Sequence, residues 1–108
     1  MGLSILQWNA YSILAHGSEF KYLLDQMESV PHILCIQETF LKPEITYNLK
    51  GYSLIRKDGK NGRGGIATYI RNDVQYSKVE YLEGVDGISV HVHTTYGTIQ
   101  IVNLYISP

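Results

Sequence analysis

Two short apolar runs with a single helical period between them constrain this chain more than any other feature. The first, LSILQW at residues 3–8, has the length and composition of a strand. The second, HILCIQE at residues 32–38, is apolar enough for a strand buried on both faces. Between them, Phe20, Leu23, Leu24, Met27 and Val30 recur at helical spacing, with Ser18 placed as a cap, Glu19 in the first turn and Pro31 as the stop. About 22 residues separate the two strands, which is long enough for a helical crossover and predicts a right-handed parallel connection.

Beyond Pro43 no second helical period occurs. Glycine and charge instead punctuate β-rich runs, which predicts strands near residues 51–56, 65–71, 75–82, 87–94 and 98–105. The turn signals between them are KDGKNGRGG, RND, EGVDG and TTYG. The expected fold is a mixed β-sheet with one helix in a layered α/β architecture, and the 108 residues form one domain or one piece of a larger one. One helix leaves the faces of such a sheet thinly covered. A second layer is therefore expected from residues outside these 108 or from a partner.

A net charge of −1 gives no overall attraction to phosphate, so any nucleic-acid contact must come from a local patch. The one cysteine, Cys35, lies inside an apolar run and cannot form an internal disulfide, which suits an inert core thiol in a reducing compartment. MGLSILQWNA lacks a basic leader and a cleavage site, no apolar run approaches the ~20 residues of a membrane span, and Leu6 does not fit a myristoylation signal. An intracellular, soluble domain without a membrane partner is expected.

If the first two strands are parallel, their carboxyl ends share one edge of the sheet, where open α/β sheets place ligands. Asn9 follows the first and Glu38 ends the second, so an amide and a carboxylate would face one crevice and suit Mg²⁺ completed by water and substrate phosphate. The plainer alternative makes Asn9 a turn cap and leaves Glu38 facing solvent. Four phrases then carry a resemblance: QWNAYSILAH, HILCIQETFLKP, GYSLIRKDGKNGRGGIATYIRNDVQY and IVNLYISP. In this order they resemble the amino-terminal part of the endonuclease/exonuclease/phosphatase superfamily, in particular the apurinic-type endonuclease domain of non-LTR, jockey-like retrotransposons. The fold implied is half of a four-layer α/β-sandwich of the deoxyribonuclease-like type.

The resemblance implies a phosphodiester hydrolase dependent on Mg²⁺ (or Mn²⁺). Asn9 would be its active-site asparagine, Glu38 its metal-binding glutamate, and Tyr105 the tyrosine that contacts the scissile phosphate. Without the resemblance Tyr105 reads as an ordinary strand tyrosine. The aspartate and asparagine that activate the attacking water follow, in the family, in a G-D-x-N phrase, and a final S-D-H phrase completes the site. Neither occurs in these 108 residues, so the isolated chain is expected to lack significant nuclease activity and to need the carboxy-terminal half of the same domain. A downstream reverse transcriptase and a nuclear location when acting on DNA are further implications. A catalytically silent DNA- or protein-binding remnant, or a sugar- or lipid-phosphate phosphatase, are the alternative readings.

Arg56, Lys57, Lys60, Arg63 and Arg71 form a local basic stretch, interleaved with glycines at 59, 62, 64 and 65. It reads as a non-specific contact to the DNA backbone, or equally as a hairpin tip kept soluble by charge. His91 and His93 alternate on a predicted strand and share a face. They have no third ligand nearby, so a solvent-facing pair is the plainer reading than a Zn²⁺ site. His16 and His32 read as loop and strand-entry residues.

Overall fold

The computed structural model describes residues 2–106; the last two residues of IVNLYISP lie outside them. Among the described residues the chain forms strands β1 (Ile5–Asn9), β2 (Ile33–Gln37), β3 (Tyr52–Lys57), β4 (Ile66–Arg71), β5 (Gln75–Tyr81), β6 (Asp86–Thr94) and β7 (Gly97–Tyr105), with helix α1 (Ile13–Asp25). One four-stranded mixed sheet has the order β1-β2-β4-β3, and a three-stranded sheet has the order β5-β6-β7. β1 and β2 pair in parallel, with Asn9 opposite Gln37, as the crossover spacing predicts. The other pairings are antiparallel. No helix among the described residues is long and apolar enough to cross a membrane.

The expected single sheet is in fact two, and the second sheet corrects the view that these residues cannot cover both faces. Strand alternation divides β2 between two cores. Leu34 and Ile36, with Ala67 and Tyr69 of β4, face Ile13, Phe20 and Leu24 of α1. Ile33 and Cys35, with Ile66 and Ile70, face Ile88, Val90, Val92 and Ile101 of the smaller sheet. The order is therefore helix, mixed sheet, antiparallel sheet, with β2 buried along its whole length. This is a mixed α/β fold, half of a layered sandwich.

The helix starts earlier than its apolar spacing suggests. Ser12, not Ser18, is the N-cap, and its Oγ accepts from Ala15 N at 3.2 Å. Ile13, Gly17, Phe20 and Leu24 form the buried face, whereas Leu23 is 60% exposed and Met27 lies beyond the helix. Gly17 is part of the reason: a Cβ there would sit 2.1 Å from the Tyr47 hydroxyl, so the turn over Tyr47 tolerates no side chain. A periodicity search that scores apolar residues passes over a glycine that packs. Glu19 accordingly lies past the first turn, and Pro31 leads into β2 without ending α1.

Candidate functional site

Alternation along β2 has a consequence for the residue after it. Gln37 faces the second sheet, donating through Nε2 to Asn103 Oδ1 at 2.8 Å. Glu38 would then turn toward the helix side, but its φ of 52° lies in the left-handed region and breaks the alternation. Its carboxylate instead meets the end of β7, where the Tyr105 hydroxyl donates to Oε2 at 2.9 Å. Non-glycine residues held at positive φ carry local strain, and four gather here: Tyr11, Ser12, Glu38 and Phe40. Backbone bonds hold them, from Ser12 N to Glu38 O at 2.9 Å, Thr39 N to Gly65 O at 3.2 Å and Phe40 N to Gly64 O at 3.0 Å.

Glu38 and Tyr105 open into a cleft of about 1220 Å³, lined also by Tyr11, Phe40, Lys60, Arg63 and Asp86. A polar network adjoins these two residues in sequence, joining β2 to β7 one residue before Glu38 and two before Tyr105. Gln37 accepts from Gln7 Nε2, and Asn103 Nδ2 donates to Ala67 O at 3.0 Å and to Thr68 Oγ1 at 3.2 Å. Asn103 is two residues before Tyr105 on the same strand face, so the network that joins β7 to β2 also sets where the tyrosine hydroxyl falls. Asn9 stands at the neighbouring strand tip, exposed and opposite Gln37 in register, but it is not among the residues lining the cleft.

The five basic residues separate into two groups. Lys60 and Arg63 line the cleft, on and just after a 3-10 turn at Lys60–Gly62. Arg56 is committed to the fold: it pairs with Asp58 at 2.9 Å and donates to the Lys42 and Ile45 carbonyls. Lys57 Nζ donates to the carbonyls of Leu82 and Val85. Arg71 lies at the far end of β4, pairs with Asp73 at 2.7 Å and donates to Val30 O. Its hydrogen bond holds the Asp73 carboxyl below the usual range. A contiguous basic stretch in sequence is thus not a contiguous surface, because β4 carries Arg71 to its far end while Arg56 and Lys57, beside the turn, are tied to Asp58 and to backbone carbonyls.

The histidines lie elsewhere. His93 bonds the hydroxyls of Ser77 and Thr98 through its two ring nitrogens, and His16 Nδ1 donates to Ala10 O at 3.0 Å. Among the described residues no group of three His, Cys, Asp or Glu is arranged to hold a metal. Two carboxylates line the cleft: Asp86 is engaged with Gly65 N, and Glu38, on a residue of positive φ at the end of a rigid strand, accepts from Tyr105 through Oε2. This fits a hard cation that keeps most of its waters, such as Mg²⁺ or Mn²⁺, and does not fit a closed Zn²⁺ cage.

Sequence reasoning missed four cleft residues, one of them Asn61 on the 3-10 turn, with φ 56°. Asp86, read only as part of a turn signal, pairs in register with Tyr105, and its Oδ2 accepts from Gly65 N at 3.0 Å. It thereby holds the glycine loop against the cleft. Gly65 itself has φ +83°, and a Cβ there would lie 2.7 Å from Thr39 Oγ1. Tyr11 and Phe40 are the other two; only their strained backbone marks them, and dihedral angles are not visible in a sequence.

The sequence pattern of the Endonuclease/Exonuclease/phosphatase family matches residues 6–107. Among solved structures, the chain is similar to the APE2 catalytic domain of Xenopus laevis, with 18% identity and a TM-score of 0.76, covering 98% of this chain and 46% of that one. It is similar also to the AP endonuclease LMAP of Leishmania major, with 19% identity, a TM-score of 0.71, and 97% and 40% coverage. A third likeness is to the 3′ phosphatase NExo from Neisseria bound to a product DNA hairpin, with 17% identity, a TM-score of 0.68, and 96% and 41% coverage. At these identities the likeness concerns the fold. The chain spans less than half the length of these structures. No curated protein matches the chain.

Proposed function

The chain belongs to the endonuclease/exonuclease/phosphatase family, and from that premise we propose that it is the metal-holding part of a Mg²⁺-dependent DNA endonuclease domain. The nick would serve to prime reverse transcription, a role that the jockey-like phrases around Asn9, Glu38 and Tyr105 suggest.

The observation that carries this reading is the Glu38 carboxylate, held in a wide cleft by the Tyr105 hydroxyl with Lys60 and Arg63 among the lining residues. A divalent cation bound there supplies charge neutralisation at the phosphate and at the leaving oxygen. Glu38 would hold that cation, and Asn9, exposed on the adjoining strand tip and outside the lining of the cleft, would serve as an oxygen partner to one of its waters. Tyr105 orients the carboxylate with its single O–H proton, which would turn to a phosphate oxygen once substrate is bound and charge builds there. Lys60 and Arg63 attract the sugar-phosphate chain without reading its sequence. Arg56, Lys57 and Arg71 contribute to the fold of this surface more than to contact with DNA.

Among the described residues no histidine lines the cleft, so these residues offer no imidazole to activate water. The 108-residue chain is therefore expected to bind the cation and DNA without rapid turnover. Mn²⁺ titration followed by water-proton relaxation tests the reading: binding that disappears in Glu38→Ala supports it, and binding indifferent to Glu38 overturns it. Robust plasmid nicking by the chain alone would show that the water-activating groups lie within these residues after all.

A further inference from the structure

The sequence phrases account for the carboxylate and the tyrosine of the cleft but leave its aromatic lip without a role. Tyr11 and Phe40 meet there edge to face, with ring centroids 5.4 Å apart and planes at 65°. Both line the cleft alongside Glu38, Lys60 and Arg63. Tyr11 is 66% exposed, so burial does not explain its placement. The contrast within the same molecule is Trp8 and Phe20, which stack in parallel against the helix-side core.

Both residues of the lip have positive φ, 44° for Tyr11 and 53° for Phe40, a conformation that bulky side chains rarely adopt. Strain of this kind persists where the surrounding structure fixes it, and functional sites collect it. Here the fixing bonds run through the carboxylate-bearing segment itself. Ser12 N donates to Glu38 O, and Phe40 lies two residues beyond Glu38. The two rings and the carboxylate are therefore set relative to one another by the same few backbone bonds.

We propose that Tyr11 and Phe40 form a shelf for one unstacked nucleobase beside the bound phosphate, so that the cleft prefers single-stranded or locally opened DNA to continuous duplex. The inference deepens the DNA reading above and rests on it. Aromatic rings attract any base through its π-face, independent of sequence. In an intact duplex those faces are covered by neighbouring bases, and only an opened or single-stranded base can offer one. Two ring walls at an angle suit one base held against one ring and bordered by the other, with Lys60 and Arg63 on the lining of the same cleft to take the adjoining phosphates.

The test is fluorescence anisotropy on the 108-residue chain with Mg²⁺ at low salt. The probes are a short labelled oligothymidylate, the same strand with its bases replaced by tetrahydrofuran abasic residues, and the matching duplex. The expected result is about tenfold tighter binding of the base-bearing strand than of the abasic strand, with the duplex also weaker. Tyr11→Ala brings the base-bearing strand down to the affinity of the abasic one, whereas Tyr11→Phe keeps the difference. Phe40→Leu, which preserves apolar volume, repeats the comparison should Tyr11→Ala perturb folding. Equal binding of the two single strands, or a loss in Tyr11→Ala that falls on both alike, overturns the shelf while leaving the phosphate-binding reading standing. Failure of all three probes to bind removes both readings.

Discussion

The Tyr105 hydroxyl donates to Glu38 Oε2 across 2.9 Å, joining residues 67 positions apart and the ends of two different sheets. The bond makes the carboxylate's direction depend on how the sheets pack. Removing the hydroxyl should therefore loosen cation binding without abolishing it. Groups that orient a metal ligand from behind typically contribute 10–100-fold in affinity. We expect Tyr105→Phe to weaken Mn²⁺ binding by about tenfold and Glu38→Ala to eliminate it, as read by relaxation titration. Equal effects of the two substitutions would mean that Tyr105 is itself a ligand or that both changes disturb the fold.

Behind that bond lies the Gln37–Asn103 pair, with both side chains buried between the sheets. Asn103 answers Gln37, the Ala67 carbonyl and the Thr68 hydroxyl together, and its loss takes a partner from each of these buried groups. Each unsatisfied buried group costs about 1–3 kcal/mol. Asn103→Ala is accordingly expected to destabilise the fold by about 2–4 kcal/mol in urea denaturation. It should also weaken cation binding, because Tyr105 follows Asn103 on the same strand face. A stability change below ~1 kcal/mol would show that water replaces the amide.

How far the sequence reveals this architecture follows from which interactions are local. β1, β2 and their parallel pairing are legible because an apolar run and a crossover length are properties of contiguous residues. Glu38 stands out for the same reason, as a carboxylate directly after such a run. The division into two sheets is not legible, since whether β5–β7 continue the first sheet or pack across it depends on long-range register. The basic stretch misleads for a related reason: Arg56 and Arg71 are near Lys60 in sequence but meet Asp58 and Asp73, two residues along their own strands and turns. Tyr11, Phe40 and Asp86 owe their place in the cleft to backbone dihedrals and pairings that no residue pattern encodes.

The start of α1 separates the two kinds of information most directly. Ser18 has the right residue type for a cap, but Ser12 performs the capping. Ser12→Ala is expected to cost about 1 kcal/mol of stability, and Ser18→Ala to stay within about 0.5 kcal/mol. Ser12→Gly should be milder than Ser12→Ala, because φ at Ser12 is +83° and glycine adopts that region freely. Thermal or urea unfolding of the three variants checks the ordering. A larger loss in Ser18→Ala than in Ser12→Ala would place the cap at the later serine.

Cys35 provides a pH signature for the inter-sheet core. Burial there pushes the thiol from its ordinary value of 9.0 up to about 11. A raised value means that the folded state retains the proton after the unfolded chain has released it. The stabilising effect is thus complete below pH 9.0 and is lost progressively as the pH rises through about 11. Tyr52 and Tyr69 are also pushed up by burial, from an ordinary value of 10.0, so between pH 9.0 and 10.0 they add a smaller decline that wild type and a Cys35 variant share, and the thiol is read from the difference. Across it, one thiol with this shift accounts for about 1 kcal/mol of lost stability. Urea unfolding of the wild-type chain should lose about 1 kcal/mol more across this interval than Cys35→Ala does, after allowance for the variant's lower stability at neutral pH. Parallel declines in both proteins would mean that the thiol is reached by solvent and that the two sheets are less tightly closed over β2 than their packing implies.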